Sequence, residues 1–546
     1  MHNGNKVELD KEELTAAQAP KHLSPVAPEG KRAASQLHAR PANKGRVVDV
    51  PACVVLVISL LVGTVLALCI PPGAGLDEST HIARTYQLAH GQLHASFVGY
   101  SSFYPTDSAA EKSNASLYGG QVDRALWELA ERNKISFQLD GDQYAFPLWT
   151  DAKAYADWEV GSMGDVQAAF SNTAVNTPLV YLPFIVGLWA VRPFVPSAYW
   201  TIVAMRLFGV AVYAVGCFLC VRRMPFAKWA ATALLVAPNV MATVSTVNAD
   251  LVSDLACAWL IAVFLRLLAT SGDATPGSGL PGGAPSGGVS HKNWVGLFVG
   301  TAVLGMVKMS YAPLVVLPML LLVARPDYRN RKAVIGVAAS AAICICLCLG
   351  WYKYAVSGVN TGAMWRPDVV PSSQLHMVLA DPASLLSACF ATRGISIFQL
   401  GRIDLMVPRA LWDVTLWLAA VPLVLALLVR ERYELALAGA SRVVAAGIAT
   451  LLACAGIWVL TMFAMYLSFT PLGAPAVEGV QNRYFVPVGL LVGAFVAACV
   501  GGLEQRVALL RGGRAAARLL RAVTLLSMVS VQAEFMADVA RTTFVF

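Results

Sequence analysis

Apolar runs of about 20 residues recur along this chain, the first at 51–70, and each is long enough to cross a hydrocarbon core of about 30 Å. In lipid, every backbone N–H and C=O must find its partner within the protein, which leaves helices as the natural spanning element. Composition agrees. Only 14% of the 546 residues are charged, whereas a soluble chain carries about a quarter. The pattern predicts an all-α, polytopic transmembrane helical bundle.

Eleven spans are expected, near 50–70, 198–220, 226–246, 251–268, 293–307, 311–325, 333–353, 410–429, 444–467, 485–503 and 517–535. Basic residues orient them. Arg222, Arg223 and Lys228 follow the second span, and Arg325, Arg329, Arg331 and Lys332 the sixth. Arg430, Arg432 and Arg442 follow the eighth, and Arg506, Arg511, Arg514, Arg518 and Arg521 the tenth. By the positive-inside rule these loops are cytoplasmic, as is the tail 1–49 with its eight Lys/Arg. The N-terminus is then cytoplasmic and the C-terminus extracytoplasmic. The net charge of +8 is read as attraction to an anionic inner leaflet, with no nucleic-acid partner. The stretch 178–193 is apolar but short and carries prolines at 178, 183 and 193, so it is read as a juxtamembrane helix in the outer interface.

The expected organisation is a disordered cytoplasmic tail (1–49), a membrane domain (50–505), and a basic cytoplasmic loop with the last span (506–546). Within the membrane domain lie a large extracytoplasmic first loop (71–197), a flexible Gly/Pro/Ser linker (271–291) and a second extracytoplasmic loop (355–409). The first loop holds 13 Asp/Glu against seven Lys/Arg, with helices expected at 78–90 and 122–133. Eleven cysteines lie almost entirely in spans, and none falls between Cys69 and Cys217. They read as small hydrophobes, Cys217 and Cys220 included.

Ionisable groups near the membrane are costly, so those that gather there carry functional weight. Most fall at the outer ends of the spans: Asp77, Glu78, His81 and Arg84 after the first; Asn248, Asp250 and Asp254 at the turn between the third and fourth; Lys308 and Tyr311 at the turn between the fifth and sixth; and Glu478, Gln481, Arg483 and Tyr484 opening the tenth. Arg206 lies inside the second span. Asp77 and His81 are four residues apart, on one side of a helix. The segment Asp77-Glu78-Ser79-Thr80-His81 has one histidine and so is not the two-histidine zinc motif. Three readings of its carboxylates stay open: a general base towards a hydroxyl, a ligand of a divalent metal (Mg or Mn), or an acidic helix start. Asp250 is a second candidate ligand if a metal binds. No phosphate-binding loop of the nucleotide type is present.

The run Asp77-Glu78-x-x-His81-x-x-Arg84-x-Tyr86-Gln87-Leu88-Ala89-x-Gly91 after a Pro-Pro pair resembles the bacterial family known as domain of unknown function 2142. So do Asn176-Thr177-Pro178-Leu179-Val180-Tyr181-Leu182-Pro183, Ala237-Pro238 with Asn248-Ala249-Asp250, Lys308-x-x-Tyr311, and Gly479-Val480-Gln481-Asn482-Arg483-Tyr484-Phe485-x-Pro487, spread over 50–505. That family in turn resembles the GT-C class of membrane glycosyltransferases. The resemblance implies a GT-C-like fold in a bacterial plasma membrane, a polyprenyl-phosphate-linked sugar as donor, a glycan or lipid acceptor, and Asp77 at the catalytic-carboxylate position with Glu78 beside it. His81, Arg84, Asp250, Lys308, Tyr311, Gln481, Arg483 and Tyr484 are the candidate substrate-binding residues. A transporter or flippase of lipid-linked saccharide, or a scaffold for envelope polymers, would use the same charges without breaking a bond.

Overall fold

The computed structural model describes residues 48–132, 136–137, 144–145, 157–269, 291–362, 366–392, 420–429, 431, 440–506 and 514–543. The tail, apart from residues 48 and 49, lies outside them. So do 271–290 of the linker, 363–365 and 393–409 of the second loop, and 410–419 of the eighth expected span.

Seven helices among the described residues are long and apolar enough to cross a membrane: Val50–Cys69, Ala198–Arg223, Asp250–Ala269, Arg331–Val356, Val443–Ser468, Asn482–Val500 and Ala515–Arg541. The first, α1 (Val50–Cys69), starts with Pro51 in its first turn, where a missing N–H costs nothing.

The first loop begins with α2 (Glu78–Ala89) and then builds a small sheet that the all-helical expectation does not contain. Strands β1 (Ser96–Tyr100), β2 (Ser116–Asp123) and β3 (Asp165–Ala169) pair antiparallel in that order, with Gly119 opposite both Ser96 and Ala169. Between β1 and β2, α3 (Ala109–Ala115) is closed by a reciprocal cap between Ser108 and Glu111. After β2, α4 (Arg124–Arg132) buries Leu126 and Leu129. Val122, expected on this helix, ends up on the strand, because Asp123 stops the ladder and accepts the Leu126 N–H at 3.1 Å. The first loop thus forms a lid of helix on sheet.

Helix α5 (Pro178–Val191) has 14 residues, about 21 Å at 1.5 Å per residue, short of a crossing. It packs on α6 (Ala198–Arg223) and exposes Leu182, Val186 and Trp189 at helical spacing. Helices α1 and α6 lie against each other, Gly63 facing Val210 so closely that a Cβ there would sit 2.7 Å from it.

Three expected spans are interrupted. The third divides into α7 (Lys228–Leu235) and α8 (Pro238–Val244), because Pro238 has no N–H to continue the ladder. The fifth and sixth become His291–Val303 with a 3-10 turn Leu304–Met306, then a 3-10 turn Met309–Val315 leading into Val316–Ala324. Val307 and Lys308 are extended between them. Non-helical backbone at membrane depth is tolerated where protein or a cavity surrounds it. Helix α9 (Asp250–Ala269) follows α8 and is the most enclosed of the long helices.

The bundle has two chemically distinct ends. At one, α1 finishes and α6 and α9 begin beneath the lid. At the other lie Arg222, Arg223, Lys228, Arg266 and Arg325, where Lys228 pairs with Asp49 and Arg223 donates to Asn293 at 3.0 Å. Arg325 caps the far end of α9 through the Leu267 and Leu268 carbonyls.

Candidate functional site

The turn Pro71-Pro72-Gly73-Ala74-Gly75 delivers two adjacent carboxylates to different places. Gly73 has φ +91°, and a Cβ on it would lie 2.1 Å from the Ala130 carbonyl, so only glycine lets α4 close over the turn. Asp77 itself sits in the left-handed region (φ 56°), a strained position for a residue with a side chain. The strain lets the chain reverse so that Asp77 and Glu78 point apart.

Glu78 points inward and is fully buried. Its carboxylate takes Arg206 Nε and Nη2 at 2.7 and 2.6 Å, and accepts the N–H groups of Gly73, Gly75 and Val247 at 3.0, 3.1 and 2.9 Å. Arg206, also fully buried, spends its remaining hydrogens on the carbonyls of Ala67, Ile70 and Pro71 at the end of α1. A guanidinium there also complements the negative end of the helix. Every strong hydrogen-bonding direction of Glu78 is occupied. Its expected place beside Asp77 as a catalytic carboxylate is therefore corrected: Glu78 is the counter-ion of Arg206.

Asp77 points the other way, with 46% of its side chain exposed, and meets Arg483 Nη2 at 3.4 Å. Arg483 is only 8% exposed and reaches Asp250 Oδ2 with Nη1 at 3.5 Å. Asp250 also pairs with Lys308, whose Nζ sits 4.4 Å from the centre of the Tyr484 ring. Arg483 Nε is buried with no hydrogen-bond partner among the described residues. Two carboxylates and two cations thus share one site, in which Lys308 grips Asp250 closely while both contacts of Arg483 are long.

Each member has a local reason for its place. Asn248 Oδ1 accepts the Asp250 and Leu251 N–H groups at 2.8 and 2.9 Å, capping α9 and presenting Asp250 at its positive end. Lys308 stands in the break between the 3-10 turns, free of helix geometry. Arg483 and Tyr484 lie on a 3-10 turn, Asn482–Phe485, that opens the Asn482–Val500 span.

His81 lies one turn along the chain from Asp77, and its Nδ1 stands 2.7 Å from the Tyr181 hydroxyl, within hydrogen-bond distance. Burial, helped by Arg483 and Lys308, pushes this imidazole down to about 3, so it is neutral at physiological pH. Tyr181, on α5, in turn receives an N–H of the Asn176 amide at 3.2 Å. Neither Tyr181 nor Asn176 was among the sequence candidates. Both stand in the Asn176–Pro183 motif, and a polar pair entering an apolar helix was the available signal.

Among the described residues Arg84 pairs with none of the site's carboxylates. It turns to the lid, donating to Gln87, to the Leu93 carbonyl at 2.8 Å and to the Asn176 carbonyl at 3.5 Å, close to Tyr181, and burial lowers its pKa to about 10. Its expected substrate-binding role gives way to a structural one, holding the α2–β1 connection. Tyr311 lies one 3-10 turn after Lys308, its hydroxyl buried without a partner among the described residues. Asp254, one helical turn after Asp250, likewise has an unpartnered Oδ1. Gln481 precedes the 3-10 turn with a buried, unpartnered Oε1. Among the described residues no three His, Cys, Asp or Glu side chains gather as a metal site, and Asp77 and Asp250 share an arginine instead.

The lid is tied down around the site. Tyr104 donates to the Arg366 and Val369 carbonyls, Arg366 pairs with Glu478 at 2.6 Å, and Trp351 donates to the Val175 carbonyl at 2.7 Å.

A helical membrane bundle with a mixed-charge cluster at one end, beside a helix-on-sheet first loop, is the class that fold and site define. Within it, the chain belongs to the DUF2142 family of predicted membrane proteins, whose profile matches residues 60–492. Comparison with curated proteins and with solved structures returns no match.

Proposed function

We propose that this protein is a membrane glycosyltransferase of GT-C-like design, moving a sugar from a polyprenyl-phosphate donor to an envelope glycan or lipid acceptor on the outer face. The observation that carries the reading is the bridge of Arg483 between Asp77 and Asp250, with Lys308 beside them. Its contacts of 3.4 and 3.5 Å are loose enough for an anionic group to replace. The half-exposed Asp77 is the general base: it takes the proton of an acceptor hydroxyl as that oxygen bonds to the anomeric carbon. The bond from that carbon to the phosphate oxygen breaks, and the lipid phosphate leaves with the electron pair. Arg483 and Lys308 hold the growing negative charge on it. Attack opposite the departing phosphate inverts the sugar. The lid excludes water, and the basic far end of the bundle supports a cytoplasmic orientation for that end.

Transport of a lipid-linked saccharide is the second reading, favoured by the interrupted helices at Pro238 and Lys308, since broken helices build binding sites at membrane depth. Envelope glycan composition in a deletion strain, complemented with wild type or Asp77→Asn, separates the two. The transferase reading expects Asp77→Asn to lower transfer by about 10²–10⁴-fold, the worth of a general base, at unchanged protein level. Full complementation by Asp77→Asn would remove that reading.

A further inference from the structure

We propose that Asn176 and Tyr181 are positioning residues that hold His81 as a neutral donor, presenting its Nε2–H to an uncharged oxygen of the substrate such as a sugar hydroxyl. The proposal deepens the transferase reading and rests on it.

The assignment follows the hydrogens. The Asn176 amide can only donate through Nδ2, so the Tyr181 oxygen accepts at 3.2 Å. The single hydrogen of Tyr181 has no other acceptor among the described residues, which assigns it to His81 Nδ1 at 2.7 Å. An Nδ1 that accepts carries no proton, so in the neutral ring the proton resides on Nε2. His81 and Tyr181 are both buried, and their rings lie tilted at 5.8 Å between centres, so the ring cannot readily turn over. The Nδ1 contact is the one hydrogen bond of this ring among the described residues.

The charges around the ring select the ligand. From α9 comes Asp250, from the break before Met309 comes Lys308, and from the turn before Val486 comes Arg483; Asp77 at the head of α2 and Arg84 within it act on Tyr181. Two cations already serve an anionic group. A neutral N–H among them adds direction without charge, which suits a hydroxyl oxygen and not a second phosphate.

The test uses the full chain in lipid nanodiscs with 15N-labelled histidine, the His81 signals being identified by their loss in His81→Gln. The expected spectrum shows a bare Nδ1 and a protonated Nε2, unchanged from pH 5 to pH 9. Tyr181→Phe, which keeps the ring, is expected to populate the other tautomer. A protonated Nδ1 in the wild type, or titration near pH 6.5, overturns the proposal. In the transfer assay, Tyr181→Phe should raise the acceptor KM about tenfold, and His81→Gln, which retains an N–H donor, should keep more activity than His81→Leu. Equal losses in those two variants also overturn it. Failure of the transferase reading appears separately, as full complementation of the deletion strain by Asp77→Asn while the tautomer result stands.

Discussion

Arg206 and Arg483 each hold carboxylates at the same end of the bundle, yet they are built for opposite purposes. Around Arg206 and Glu78 the contacts run from 2.6 to 3.1 Å, both side chains are fully buried, and the pair also satisfies three carbonyls and three N–H groups of the backbone. Around Arg483 the ion pairs are 3.4 and 3.5 Å, one carboxylate is half exposed, and a guanidinium hydrogen has no partner among the described residues. The first arrangement is saturated and has nothing left to offer a ligand. The second keeps bonding capacity in reserve. They are also joined: Glu78 follows Asp77 in the chain and grips the Val247 N–H, three residues before Asp250. The saturated pair is thus the anchor from which both carboxylates of the open site are hung.

The sharpest way to break this comparison is Arg206→Leu. Removing one partner of a buried pair costs about 3–5 kcal/mol, because an uncompensated charge remains. Loss of folded protein in membranes, measured by detergent-resistant yield, is the expected outcome. Buried pairs elsewhere are often replaceable by apolar residues, so Arg206→Leu with Glu78→Leu sharpens the point. Here the double variant should not recover, since the six backbone groups are orphaned together. Recovery would mean the pair is an ordinary ion pair and not an anchor.

The charged constellation was readable before any coordinates because apolar spans make every ionisable residue conspicuous. Asp77, Asp250, Lys308, Arg483 and Tyr484 come from four separate stretches, and the structure brings them together. What the chain could not reveal was direction. Asp77 and Glu78 are chemically alike neighbours, and only the left-handed turn at Asp77 sends one to each arginine. Arg84 misled for the same reason, since its helical spacing places it near His81 but its length carries it to the Leu93 carbonyl. The sheet was missed because its strands are short and lie within a polar loop, where alternation is weak. The break at Val307 and Lys308 has no proline of its own to announce it; the nearest is Pro313.

Acid tests whether the two arginine systems respond separately. His81 has a folded value of about 3 against about 6.5 in the unfolded chain, so between these values the unfolded chain binds more protons. The stability this contributes is fully present above pH 6.5 and is lost as pH falls towards 3, about 2 kcal/mol of it by pH 5 at 1.36 kcal/mol per unit. Thermal unfolding of the wild type should weaken over that window, and His81→Gln should flatten the response. A third cation beside Arg483 and Lys308 disturbs the open site, while Arg206 and Glu78 are untouched. Identical acid profiles for wild type and His81→Gln would show that His81 is not held neutral by its surroundings.

The smallest expected effect is the most discriminating for the link between the two systems. Asn248 caps α9 by accepting the Asp250 and Leu251 N–H groups, and its own amide donates to the Thr243 and Thr246 carbonyls at 2.7 Å. Asn248→Ala removes the cap at a cost of about 1 kcal/mol, within reach of a folded protein. Glu78 still holds Val247 in that variant, so the turn stays anchored at one end while Asp250 loses the restraint at the other. The site should then suffer more than the fold: transfer falls about tenfold while the thermal midpoint moves by only a few degrees. If activity instead declines only in proportion to the folded fraction, Asp250 is held by Lys308 and Arg483 alone, and the Glu78 anchor reaches no further than Val247.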